Sequence, residues 1–229
     1  MEDRYSVEEN LIDGWSLFAV YDGHGGSYVS NFLKFHFKDI LRDVFKEHGV
    51  NPSSIHEAFK KASVQLDTNE AMHCGSTISG VLIKGTDIIF INSGDSRVVM
   101  GTSDGKVEFE TDDHKPDRPD ENSRIEKAGG YVFNFMGTFR VNGNLALSRC
   151  MGDLAMYPHV INTPEITQKK LSEGSVVVIG TDGIWDVIDS AEAIDLTVNH
   201  SISPSSMIAR AASKGSSDNM TVIIMRSHT

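Results

Sequence analysis

The chain has little cysteine, little basic charge and no long apolar run, and each shortage removes a class of protein. Cys74 and Cys150 are its only cysteines and stand in no CxxC or comparable spacing, which argues against a disulfide scaffold or a structural zinc site and makes both packing residues. Lysine and arginine number 21 against 32 aspartates and glutamates, a net charge of -11, so no nucleic-acid partner is expected. No apolar stretch reaches the roughly 18–20 residues of a membrane span, and no charged-then-apolar leader opens the sequence. The expectation is a soluble protein of the cytoplasm or nucleus, with no signal peptide, transmembrane segment or membrane partner in the chain. Linkers, internal repeats and low-complexity tracts are also missing, which favours one domain over the 229 residues.

What is present is a series of short apolar runs and two regions of helical spacing. Trp15 to Tyr21 is too short and too rich in aromatic and branched residues for a good helix and ends at Asp22-Gly23, so it reads as a buried strand. Similar runs follow at 77–83, 88–92, 97–100, 175–180 and 221–225. Val29, Phe32, Leu33, Phe37, Ile40, Leu41, Val44 and Phe45 recur at helical spacing, with Gly49 placed to end that helix. Ser54 and Glu57 read as a capping box for a second helix carrying Ile55, Ala58, Phe59, Ala62 and Leu66. Ser190 is the expected cap of a third helix, and Met207, Ile208 and Ala211 predict a fourth that stops at Gly215. The order of strand, helix pair, strands, helix pair, strand predicts an α+β fold with an antiparallel β-sandwich and helices packed outside it. The stretch 110–121 (ETDDHKPDRPDE) is charged and twice broken by proline, so a solvated surface loop is expected there.

Acidic residues recur where strands end. Asp22 and Asp182 follow apolar strands, Asp218 precedes one, and Glu2-Asp3 stands at the start. Several such ends on one rim of a sandwich would form a carboxylate cluster, which either raises its own pKa values or is neutralised by hard cations such as Mg²⁺ or Mn²⁺. Singly, each Asp-Gly is a turn signal, and a lone histidine is more often structural. His24 differs in sitting in a glycine-flanked turn beside a carboxylate, which leaves its imidazole room. Asp95 and Asp153 repeat the pattern more weakly.

Taken in order, Met-Glu-Asp, Val-Tyr-Asp-Gly-His-Gly-Gly, Cys-Gly-Ser-Thr, Asn-Ser-Gly-Asp-Ser-Arg, Leu-Ala-Leu-Ser-Arg-Cys-Met-Gly-Asp, Thr-Asp-Gly-Ile-Trp-Asp-Val and Ser-Ser-Asp-Asn-Met-Thr-Val resemble the protein phosphatase 2C family, the metal-dependent protein phosphatases. The resemblance runs from Glu2 to Val222. It implies a four-layer α-β-β-α arrangement, a central antiparallel sandwich flanked on each side by a helix pair. It also implies hydrolysis of phosphoserine and phosphothreonine in phosphoprotein substrates by direct attack of a metal-activated water. By the resemblance Asp22 bridges two Mn²⁺ or Mg²⁺ ions, Glu2 and the Gly23 carbonyl complete one site, and Asp182 and Asp218 complete the other. Asp95 and Asp186 match positions for a third, weaker ion. Asp3 orients bound waters, His24 protonates the leaving serine or threonine oxygen, and Arg149 and Asp153 scaffold the site. The family carries a phosphate-binding arginine shortly before Met-Glu-Asp. Nothing precedes Met1 here and Arg4 lies on the wrong side of the motif, so the expectation is that the chain either has been cut at its start or lacks a phosphate ligand. Residues 1–229 are expected to form a single monomeric catalytic domain, with its N-terminal strand missing. A short flap is expected at Leu154 to Asn162. The alternatives are a catalytically impaired relative acting as a regulatory binding module, and a different two-metal hydrolase such as a nuclease, which the acidic composition disfavours.

Overall fold

In the computed structural model, which describes residues 1–227, two antiparallel sheets stack face to face. The first has the strand order Arg4–Ile12, Trp15–Tyr21, Ile78–Lys84, Asp87–Ser93, Glu165–Lys170. The second runs Val222–Arg226, Val176–Gly180, Arg97–Gly101, Val107–Glu110. Successive side chains on a strand point to opposite faces, and here both faces are covered. Val20, Val81, Phe90, Val98, Met100, Val177 and Ile179 meet between the sheets. Leu17, Ala19, Tyr21 and Ile91 pack outward on the first helix layer, and Val99, Val176 and Val178 on the second. Burial on both sides is why these strands read as unbroken apolar runs rather than alternating ones.

The first helix layer is Tyr28 to His48, continuous through a π-helical segment Leu33–Phe37, followed by Pro52–Gln65. The two meet where Phe37 packs edge-on against Phe59, ring centres 5.2 Å apart. Gly49 ends the first helix with φ 70°, a left-handed conformation that favours glycine. The second layer is Ser190–Val198 and Pro204–Ser213. The α+β sandwich with flanking helix pairs therefore stands as expected. No helix among the described residues is long and apolar enough to cross a membrane.

Several local readings are corrected. Asn51, not Ser54, caps the Pro52–Gln65 helix: its side chain accepts from the Ser54 amide while the Ser54 hydroxyl accepts from the Asn51 amide. Glu57 takes no part and faces His48 and Lys61 instead. Likewise Asp189, one residue before Ser190, accepts from the Glu192 amide at 2.8 Å and is the cap. In both cases an Asx side chain just upstream reaches the free amides first. The 110–121 segment is not merely solvated. Glu110 ends a strand, Pro119 opens the helix Pro119–Lys127, and Thr111, His114 and Glu121 are buried. Proline is well tolerated at a first helical position, whose amide has no intrahelical partner. The flap expected at 154–162 contains only a short turn, Leu154–Met156. Outside the sandwich stands a hairpin, Val132–Phe135 with Thr138–Val141, anchored on a small core of Ile125, Val141, Leu147, Cys150 and Val160.

Candidate active site

Strand register assembles the site. Arg4 lies opposite Tyr21, Ile78 opposite Ser93, and Gly180 between Arg97 and Val222. Strand ends carrying Tyr21, Ser93 and Gly180 thus share a rim with strand starts carrying Arg4, Arg97 and Val222. The residues just beyond those ends converge: Glu2, Asp22, Gly23, His24, Asp95, Asp182 and Asp218 line one cleft of about 750 Å³.

Each is held by a local device. The Asp22 amide donates to Thr77 Oγ1 at 3.1 Å, and the Thr77 amide donates back to the Asp22 carbonyl at 2.9 Å. The Glu2 amide donates to Asn219 Oδ1 at 2.5 Å, tying the start of the chain to the Asp218 loop, and Glu2 Oε2 accepts from the Gly26 amide at 3.2 Å. Asp3 lies buried behind the rim, where its Oδ2 accepts from the Thr181 hydroxyl at 2.9 Å. Its Oδ1 has no hydrogen-bond partner among the described residues. Asp186 follows Asp182 one helical turn later, its amide donating to the Asp182 carbonyl at 2.9 Å. Arg4 turns away, donating to the Met1 and Asp3 carbonyls and to Asn31.

The carboxylates strain one another. Burial, and then the charges of Asp182, Asp3 and Asp95, push Asp22 far above the ordinary carboxylate range. Burial, then Asp95 and Asp186, raise Asp182 in the same direction, and burial raises Asp3 against the hydrogen bond from Thr181. One ammonium offsets part of this: Lys115 Nζ sits 2.5 Å from Asp95 Oδ2. Burial works against that charge, but Asp95, Asp113 and Asp182 outweigh it and raise Lys115.

On the other side of Asp22, His24 Nε2 contacts Asp153 Oδ2 at 2.5 Å, and the Cys150 thiol donates to the same oxygen at 3.2 Å. These three donors, of metal-ligating type, lie within 4.8 Å of one another. Burial, together with Asp153, raises the Cys150 thiol well above its ordinary range, which disfavours the thiolate a metal would need. The trio is thus a hydrogen-bonded chain ending on the histidine. Arg149 stays outside the cleft, bound to Glu121, Glu165 and the Thr163 carbonyl.

Two residues carry no sequence signal for the site: Lys115, which lies in the charged, proline-broken 110–121 stretch, and Arg140, the one lysine or arginine among the described residues that line the cleft. Thr77 could have been found, since it closes the quoted Cys-Gly-Ser-Thr motif. Neither Lys115 nor Arg140 carries a local signal, because their roles come from where a loop and a hairpin fold back.

Known proteins resemble the chain over nearly its whole length. A family model described as protein phosphatase 2C matches residues 1–220. A probable protein phosphatase 2C of Oryza sativa subsp. japonica, member 13, mitochondrial, is 36% identical over 100% of this chain and 65% of its own length. Probable protein phosphatase 2C 11 of Arabidopsis thaliana is 35% identical over 99% of this chain and 62% of its own length. The chain thus spans less than two thirds of either relative. Among solved structures, a C. elegans sex determining protein superposes with a TM-score of 0.89 at 25% identity, over 98% of this chain and 61% of that one. A serine-threonine phosphatase 2C from Toxoplasma gondii shares the fold, with a TM-score of 0.85 at 23% identity over 98% of this chain and 90% of that one. The chain belongs to the protein phosphatase 2C family.

Proposed function

We propose that residues 1–229 act as one metal-dependent phosphatase domain that hydrolyses phosphoserine and phosphothreonine in protein substrates. The observation that carries this reading is the cleft itself, where Asp22, Asp95, Asp182 and Asp218 share one space with Glu2 and the His24 imidazole. Carboxylates this close, with burial raising Asp22 and Asp182, fit hard divalent cations, and the unsatisfied Asp3 Oδ1 fits a water oriented towards them. In this reading two Mn²⁺ or Mg²⁺ ions would be held by Asp22 in common, with Glu2 and the Gly23 carbonyl for one and Asp182 and Asp218 for the other. Asp95 and Asp186 serve a third, weaker position. When bound, the cations supply Lewis acidity towards the attacking water and the phosphoryl oxygens.

The remaining work falls to the chain. Asp3, fixed by Thr181, positions the nucleophilic water for in-line attack. His24 hands a proton to the departing serine or threonine oxygen, a poor leaving group without one. Asp153 holds the imidazole through Nε2, which leaves Nδ1 to serve the substrate. Lys115 pairs with Asp95 and limits the negative charge that the phosphate must approach. The test is phosphate release from a phosphothreonine peptide with Mn²⁺, repeated after chelation: turnover that vanishes with chelator and returns with Mn²⁺ is expected. Equal turnover in excess chelator, with no retained metal by elemental analysis, would remove the reading.

A further inference from the structure

The Val132–Phe135/Thr138–Val141 hairpin presents two unlike faces. Val132 and Val141, directly opposite in register, pack onto the Ile125, Leu147 and Cys150 core. On the other face stand Tyr131, Phe133 and Phe135, two residues apart in turn, each more than half exposed (56%, 51% and 57%). Met136 at the hairpin tip is 91% exposed. A single exposed aromatic needs no explanation, but three on one face, each more than half exposed, do.

Two observations say what covers this face. The first is continuity. Tyr131, Phe133, Phe135 and Gly143 line a groove of about 550 Å³ together with Arg140, and the same Arg140 lines the carboxylate cleft. Register sets Arg140 directly opposite Phe133, and its guanidinium donates to the Asn144 carbonyl at 2.6 Å, on the segment that forms the cleft wall. The second is charge. The chain carries a net charge of -11, and Arg140 is the one lysine or arginine among the described residues that line the cleft, so the groove side of the cleft wall is where a fixed guanidinium meets an incoming phosphorylated chain.

We propose that the aromatic face is a docking groove for the phosphopolypeptide substrate, taking a leucine or aromatic residue that flanks the phosphorylated residue while Arg140 spans the junction between groove and cleft. This rests on the phosphatase reading and adds a substrate preference to it. Transferring one large apolar side chain from water into a half-open groove favours binding by about tenfold.

The test uses two fluorescein-labelled phosphothreonine peptides, identical except that one carries phenylalanine or leucine and the other serine at the flanking positions. Binding is read by anisotropy in chelator, and kcat/KM by hydrolysis with Mn²⁺. The parent protein is expected to prefer the apolar peptide by about tenfold in both. Phe133→Ser with Phe135→Ser, and Phe135→Thr alone as a milder variant, should erase or reduce the preference through KM. Thermal melting checks that both variants are folded. Turnover of both peptides without preference, or a preference that survives the substitutions, overturns the groove and leaves the phosphatase reading standing. Preferential binding without turnover keeps the groove and removes the phosphatase. A dimer by light scattering that Phe133→Ser splits would assign the face to a second copy and overturn the substrate assignment.

Discussion

His24 and Asp153 lie 129 positions apart in the chain, yet His24 Nε2 and Asp153 Oδ2 are 2.5 Å apart. The pairing depends on Gly75, whose strand runs between theirs: a Cβ on Gly75 would strike both the Asp153 carboxylate and the His24 ring. A side chain that exists only as hydrogen is therefore what lets the acid reach the histidine.

His24→Ala should lower turnover of a phosphoserine peptide by about 10²- to 10⁴-fold, and turnover of an aryl phosphate far less, since nitrophenolate leaves without a proton. Asp153→Asn, which preserves shape but weakens the grip on the ring, should give a smaller loss with the same substrate dependence. Both substrates are to be measured at saturating Mn²⁺. Equal losses on the two would sink the proton-donor role.

Gly75→Ala should reproduce the His24 pattern in a folded protein with Mn²⁺ affinity intact, because the added methyl displaces the pair rather than the carboxylates. Titration calorimetry with Mn²⁺ and the two-substrate assay check this. An alanine variant with parental kinetics would show that the pair relaxes around the methyl at no cost.

Asp22→Asn should abolish Mn²⁺ binding and most activity, yet stabilise the metal-free protein. The Asp22 carboxyl is raised from 3.8 in the fold, so the folded state holds its proton more tightly and the metal-free protein loses stability as pH rises above about 3.8 towards the raised value. Removing the charge removes that slope. Melting temperatures in chelator from pH 5 to 8 should fall for the parent and stay flatter for the variant. The exposed Asp104, paired with Lys106, provides the control, and Asp104→Asn should match the parent; identical behaviour of Asp22→Asn and Asp104→Asn would refute the ligand assignment.

Glu121→Ala should destabilise the protein by about 3–5 kcal/mol, the usual cost of breaking a buried ion pair from one side. Glu121 is 1% exposed and accepts from Arg149, Ser148 and Arg124. Burial alone would push its carboxyl up, but the hydrogen bonds from Arg149, Ser148 and Arg124 bring it down from 4.5 to about 2. Its contribution is present above pH 4.5 and lost as pH falls towards 2. Urea melts at pH 7 and pH 3 should show the parent losing this contribution at low pH, and the difference between parent and Glu121→Ala shrinking with it.

The sequence by itself determined the layers. Runs such as Val176–Gly180 and Asp87–Ser93 are apolar on both faces because each strand is covered on both, and the Val29 to Phe45 spacing prescribes one buried helical stripe whatever packs on it. The acidic residues Asp22, Asp182 and Asp218 were legible for the same reason, since each borders an unmistakable strand. Only the tertiary structure decided what depends on distant segments meeting. Arg4–Ile12 hid as a strand because it is a polar sheet edge with a register shift. Glu121 looked like one more solvated acid until Arg124 and Arg149 enclosed it. Lys115 and Arg140 acquire meaning only through the carboxylates and aromatics set against them. Local periodicity reports which face of an element is buried; it carries no information about which charge, 20 or 129 residues away, that burial brings into contact.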